Sequence, residues 1–179
     1  MAELLSPLPR VHASFLVAMA EFAAEGRGGP YDDTTIGSDL RDKRPGWESP
    51  EGFAAFVAGL RAEALEDTPR RDGWVPSTTL WWVDGEEYLG RIAVRHRLTP
   101  WLRDVGGHIG YDVRPSARRR GHATAMLRAV RPICRGLGID PALVTCDVDN
   151  EGSRRVIEAC GGVLENEHNG KLRWWVPVS

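Results

Sequence analysis

Arg118-Arg119-Arg120-Gly121-His122-Ala123 stands between a β-rich run, Gly107 to Val113, and a helical one, Arg120 to Arg135. Pro115 stops the strand, and beyond the arginines Ala123, Met126, Leu127, Val130 and Ile133 form an apolar stripe at helical spacing, closed by Gly136 and Gly138. A turn from strand to helix leaves a run of backbone N–H groups without intrahelical acceptors. The helix dipole favours an anion there, glycine lets a phosphate approach the backbone, and three arginines add attraction. Chemistry alone makes this segment a phosphate site, with a ligand-free arginine-rich turn as the alternative.

Working outward, the two flanks read differently. Thr78 to Val83 and Tyr88 to Arg97 are β-rich runs joined at Asp84-Gly85, a hairpin signal. After the central helix come a strand at Ala142 to Asp147, a short helix at Glu151 to Cys160, and a break at Gly161-Gly162. Strands near Val163 to Glu167 and Leu172 to Val178 then flank the tight-turn dipeptide Asn169-Gly170. On the N-terminal side, Val11, Phe15, Ala18, Met19 and Phe22 mark a helix over 11–25. Phe53, Phe56, Val57, Leu60 and Ala64 mark a second, capped by Ser49-Pro50-Glu51. Between them Tyr31 to Trp47 is acidic and turn-rich, as a substrate-facing loop or short helix is. This order predicts an α/β fold, a mixed sheet with helices on both faces. One domain is expected over 1–179, helical over 1–70 and sheet-based over 78–178.

The bulk numbers agree with one core: 179 residues, 42% apolar and 27% charged. No run approaches the roughly 18 to 20 apolar residues of a membrane span, and Met1 to Arg10 lacks the pattern of a signal peptide, so a cytoplasmic location is expected. Cys134, Cys146 and Cys160 sit singly in apolar patterns and read as buried thiols, and no metal-ligand spacing is visible. Net charge is only -2, yet Glu21 to Asp67 carries eleven acidic residues against five basic, while Arg91 to Arg135 carries eleven arginines against Asp104 and Asp112. Two oppositely charged solvated faces, or an anion site and a cation site, both explain this.

The pattern Val113-x-Pro115-x-x-Arg118-x-x-Gly121-x-Ala123 resembles the acetyl-CoA motif of the GNAT superfamily of N-acetyltransferases. Gly107-His108-Ile109-Gly110-Tyr111-Asp112-Val113 resembles that family's splayed central strand, and Asp149-Asn150-Glu151-Gly152-Ser153 its second cofactor contact. The resemblance implies a largely antiparallel central sheet with one splayed strand, and acetyl-CoA as co-substrate without a metal. It implies that backbone groups of Tyr111 and Val113 hold the pantetheine arm. Amides of Arg119, Arg120, Gly121, His122, Ala123 and Thr124 would cradle the pyrophosphate beside Arg118, with Asn150, Ser153 and Arg154 on the other side. For Asn150 a plain helix N-cap is the competing reading.

Acetyl transfer needs a neutral amine, a donor for the oxyanion and a proton for the leaving thiolate. The N–H near Val113 is the expected oxyanion donor. A tyrosine often serves as the family's acid, but Ile157 occupies that position here, leaving Ser153, Cys146 or water, or departure of the thiolate unprotonated. His108 is the first candidate base, because an unperturbed imidazole titrates near neutrality. Glu87 is the second, and a core histidine bonded across the sheet is the alternative for His108. His122 reads as helix surface.

For the acceptor, Tyr31, Asp32, Asp33, Asp39, Asp42 and Trp47 suggest an acidic, aromatic cleft suited to a small cationic amine. A faint resemblance to kasugamycin-type enzymes points to an aminoglycoside. Trp81-Trp82 and Trp174-Trp175 each send one ring to each sheet face. One of each pair belongs to the core, leaving the other, Trp82 in the first, for the substrate mouth or a homodimer contact. Acetylation of a protein N-terminus or charged tRNA, or acyl-CoA sensing without turnover, are the rival functions. The pI near 6.2 and the acidic N-terminal third argue against a nucleic-acid partner.

Overall fold

The computed structural model describes residues 1–179. Seven strands form one sheet: β1 (Glu3–Leu5), β2 (Ser77–Asp84), β3 (Glu87–Arg95), β4 (Ile109–Val113), β5 (Ala142–Asp147), β6 (Val163–His168) and β7 (Lys171–Val176). Their order is β1-β2-β3-β4-β5-β7-β6, and every neighbouring pair is antiparallel except β4 and β5. Helices α1 (His12–Ala24), α2 (Thr35–Asp42) and α3 (Pro50–Ala62) cover one face. On the other lie α4 (His122–Ala129), α5 (Arg131–Gly136) and α6 (Glu151–Ala159). No helix is long and apolar enough to cross a membrane.

Each turn follows from its residues. Asp84 pairs with Glu87, so the two-residue loop is Gly85-Glu86, one position beyond the expected Asp84-Gly85, with Gly85 at φ +60. Asn169 and Gly170 both take positive φ between His168 and Lys171, the conformation a type I′ hairpin requires. Ser49 Oγ caps α3 by accepting from the Gly52 amide at 3.0 Å, as its sequence announces. Thr34 caps α2 in the same way, settling the stretch after Tyr31 as a short helix. The single helix expected over 120–135 is two, because Pro132 near the start of α5 lacks the N–H that would continue α4.

Alternation along β2 sends Trp81 and Trp82 into different cores. Trp81 stacks on Phe15 at 5.4 Å beneath α1, and Trp82 packs among the side chains under α4. Both rings are buried, since helices cover both faces, which corrects the assignment of Trp82 to a substrate mouth. Trp47 is likewise 1% exposed, edge-on to Phe15, so it belongs to the helical core and not to an acceptor cleft.

The opposite charges of the two chain regions meet across the fold. Glu21 pairs with Arg114, Glu25 with Arg118, Asp39 with Arg91 and Glu66 with Arg97. Much of the acidic surplus near the N-terminus thus neutralises arginines of β3, of the loop after it and of the turn after β4.

Candidate functional site

Strands β4 and β5 are joined at one register position only, Ile109 with Val144, and diverge beyond it. The antiparallel bonds Arg95 N–H to His108 O and Arg114 N–H to Leu89 O fix which β4 residues face β3. By alternation, Gly110 and Asp112 bond toward β3, and the amides of Tyr111 and Val113 face the gap. Side chains alternate too: Tyr111 and Val113 pack toward α4 and α6, whereas Asp112 projects to the α1 face, where Arg27 meets it.

The chain then turns through Arg119 at φ +66 and Gly121 at φ +82 into α4. None of the six amides from Arg119 to Thr124 donates to an acceptor within the chain. Six adjacent unpartnered donors at a helix N-terminus suit a pyrophosphate, and the open β4 edge suits an amide-bearing arm. Five of the six residues, all but Arg120, line a groove of about 670 Å³ together with Tyr111 and Val113. It takes in Tyr111, Val113, Arg118, Arg119, Gly121, His122, Ala123, Thr124, Asn150 and Ser153 of the expected residues, but neither Arg120 nor Arg154. Arg120 is exposed, and Arg154 pairs with Glu158 at 3.0 Å on the outer surface of α6.

The arginines are less free than their run suggests. Arg118 donates to Val113 O at 3.1 Å and grips Glu25 with both terminal nitrogens, which shapes the turn rather than leaving the guanidinium for phosphate. Behind it the buried Arg114 is held by Glu21, Ser14 Oγ and Tyr88 O. Glu21 also accepts from the amide and hydroxyl of Ser116, at 3.0 and 2.9 Å. The Arg114 guanidinium, helped by Ser116, outweighs desolvation and holds the Glu21 carboxyl down at about 2.

On the α6 wall, Asn150 Oδ1 accepts from Ser153 N–H at 3.0 Å and is the helix N-cap. Ser153 Oγ lies 2.6 Å from the Tyr111 hydroxyl, whose acidity burial weakens. Ile157 is fully buried and brings no hydroxyl. Cys146 is buried in the same core with its thiol pushed up by desolvation. His122 is not merely surface: its Nδ1 accepts from Trp82 Nε1 at 3.0 Å, pinning the start of α4 to β2.

Neither expected base sits as a base should. His108 Nδ1 already accepts from the buried Leu143 amide at 2.9 Å, and burial with two nearby arginines, Arg103 and Arg95, lowers its pKa to about 4. That is the core histidine bonded across the sheet. Glu87 lies exposed at the hairpin, 3.7 Å from Arg114 and outside the groove.

The acidic cleft is not assembled either. Burial opposes the charge on Asp32, but hydrogen bonds from Thr34 and Gly28 and the Arg27 charge prevail, setting its pKa at about 2. Its carboxylate closes a loop. Asp39 is buried against Arg91 and Lys43, and Tyr31 and Asp33 are exposed outside the groove. The charged groove residues that sequence reasoning passed over include Glu25, Arg27, Asp112 and Arg155. Asp112 had a readable signal: a lone carboxylate between Tyr111 and Val113 in a strand otherwise without charge.

The family model for the acetyltransferase (GNAT) domain matches residues 38–163. No curated protein matches. Among solved structures, RimJ of Mycobacterium smegmatis in complex with CoA-disulfide is similar at TM-score 0.65 and 19% identity, covering 98% of this chain and 81% of that one. RimL, a ribosomal L7/L12 alpha-N-protein acetyltransferase in complex with coenzyme A, gives 0.58 and 17%, covering 97% and 92%. The microcin C7 self immunity acetyltransferase MccE, in complex with acetyl-CoA and AMP, gives 0.61 and 13%, covering 97% and 90%. At these identities the neighbours speak for the fold alone, while the family match spans most of the sheet and the whole phosphate turn. The chain belongs to the GNAT family and is an acetyl-CoA-dependent acetyltransferase.

Proposed function

We propose that the acceptor is a primary amine on a small cationic molecule, with an aminoglycoside of the kasugamycin kind as first candidate. One observation carries this reading: the groove is lined by residues from both faces of the sheet. It is lined by the α4 amides and Ser153 on one face and by Asp112, Arg27 and Glu25 on the other. A cofactor arm lying in the β4–β5 gap leaves the α1 side open to an amine, and there Asp112 keeps one carboxylate oxygen without a partner.

Acetyl-CoA supplies an acyl group already activated as a thioester. The chain's own groups do the rest. Amides 119–124 bind and orient the diphosphate, and the free backbone edge at Tyr111 and Val113 fixes the arm. The Val113 N–H is the donor aimed at developing negative charge. Ser153 Oγ, bonded to the Tyr111 hydroxyl at 2.6 Å, is the candidate proton donor on the α6 wall.

A protein N-terminus is the second reading, because RimL, named for acetylating one, shares the fold. Release of free thiol from acetyl-CoA separates the two, measured with amino sugars, polyamines and peptides bearing a free α-amine. Turnover with an amino sugar and none with peptides is the expected result. Turnover confined to peptides overturns the small-molecule reading.

A further inference from the structure

We infer that Asp112 is the carboxylate that recognises the acceptor's ammonium group, and that Arg27 occupies its place until the acceptor arrives. This rests on the acetyl-transfer reading above. Asp112 lies on β4 between the two residues whose backbone faces the open gap, but its side chain points to the opposite face. Position and direction together put a carboxylate at the α1-side mouth of a groove whose other end is built for phosphate.

Its present bonding suits a site that exchanges partners. Arg27 reaches Asp112 Oδ1 with both terminal nitrogens, each at 3.4 Å, near the limit of a hydrogen bond. Asp112 Oδ2 has no partner in the chain. The two side chains remain 23% and 22% exposed, so solvent and solutes reach the pair. Arg27 has better contacts elsewhere, with Asp32 at 3.1 Å and with Thr34, and keeps them when it leaves Asp112. The remaining charges nearby are already committed: Arg91, the cross-strand partner of Asp112, to Asp39, and Glu25 to Arg118. Glu151, the third carboxylate of the groove, stands at the start of α6 beside Arg155 at 3.2 Å, on the opposite face of the sheet. Asp112 is therefore the groove carboxylate on the α1 face with an open oxygen and a weakly held cation, the arrangement an incoming ammonium displaces.

The test compares Asp112→Asn and Arg27→Met with the unaltered protein. Dissociation constants for acetyl-CoA come from calorimetry, and Michaelis constants from thiol release with amino sugars and polyamines at saturating acetyl-CoA. Asp112→Asn should raise the amine KM roughly ten- to a hundred-fold, the range of one charge-assisted hydrogen bond. Arg27→Met should lower it several-fold, because the competing cation is gone. Acetyl-CoA affinity should stay within about two-fold in both. A structural ion pair predicts the same direction of change for both variants, so parallel shifts, or an amine KM that Asp112→Asn leaves unmoved, overturn the inference. Failure of the unaltered protein to bind acetyl-CoA would instead defeat the acetyl-transfer reading beneath it.

Discussion

Replacing His108 distinguishes a proton acceptor in the reaction from a brace in the sheet, and the structure gives magnitudes for both. The imidazole is 9% exposed and accepts the Leu143 amide, a bond between the start of β4 and β5 just before the two strands diverge. His108→Ala leaves that buried N–H without an acceptor, which costs about 1–3 kcal/mol before any cavity is counted. For a chain of this length the midpoint of thermal unfolding should fall by roughly 2–12 °C. His108→Asn keeps an acceptor atom close to the position of Nδ1 and should recover most of the loss at pH 7.

Titration adds an independent signature. The unfolded chain protonates His108 near 6.5 and the folded chain only near 4. Its contribution to stability is therefore complete above pH 6.5 and lost as pH falls toward 4. A difference of that size corresponds to about 3 kcal/mol. Thermal unfolding between pH 4 and 7.5 should show the unaltered protein losing stability more steeply than His108→Asn. Meanwhile kcat for His108→Asn at saturating acetyl-CoA should stay within about three-fold, with an unchanged pH profile. A hundred-fold loss of kcat in a stably folded His108→Asn, together with loss of a limb of the pH–rate curve, would refute this reasoning and return His108 to the chemistry.

Glu21→Gln should lower stability by about 1–3 kcal/mol at pH 7, since it weakens the hold on buried Arg114 and on Ser116. The folded pKa is depressed, so the gap should be full above pH 4.5 and close as pH approaches 2, which urea unfolding at pH 7 and pH 2.5 will show. Gly121→Ala places a Cβ at φ +82, where it meets no atom of the chain within 4 Å. The backbone cost to the fold is therefore about 1–2 kcal/mol, and calorimetry should show acetyl-CoA affinity reduced by at least ten-fold in addition to that loss.

The elements legible in the sequence were those whose signal is local. Alternation and helical spacing marked six of the seven strands and the N-terminal helices, and Asn169-Gly170 and Ser49-Pro50 marked a turn and a cap within one residue. β1 has only three residues, too few for a period, and gains its identity by pairing with β2. The phosphate turn was legible for the same reason as the caps: its donors are consecutive in the chain, so no distant residue is needed to make the site.

What could not be read is pairing at a distance. Arg118 looked like a phosphate ligand because Glu25, 93 positions away, is invisible to a local reading. Asp32 and Asp39 looked like open carboxylates, yet one closes its own loop and the other neutralises a buried arginine. A carboxylate is available to a substrate only if the fold leaves it unmatched, and matching belongs to the tertiary structure. On the α1 side of the groove that criterion removes Glu25, which Arg118 holds through both oxygens, and keeps Asp112, whose second oxygen has no partner, while Glu151 stands beside Arg155 on α6. The charge excess near the N-terminus therefore serves assembly, anchoring the helical layer to β3 and the phosphate turn, and on the proposed reading it is the lone carboxylate of β4 that is left for the acceptor.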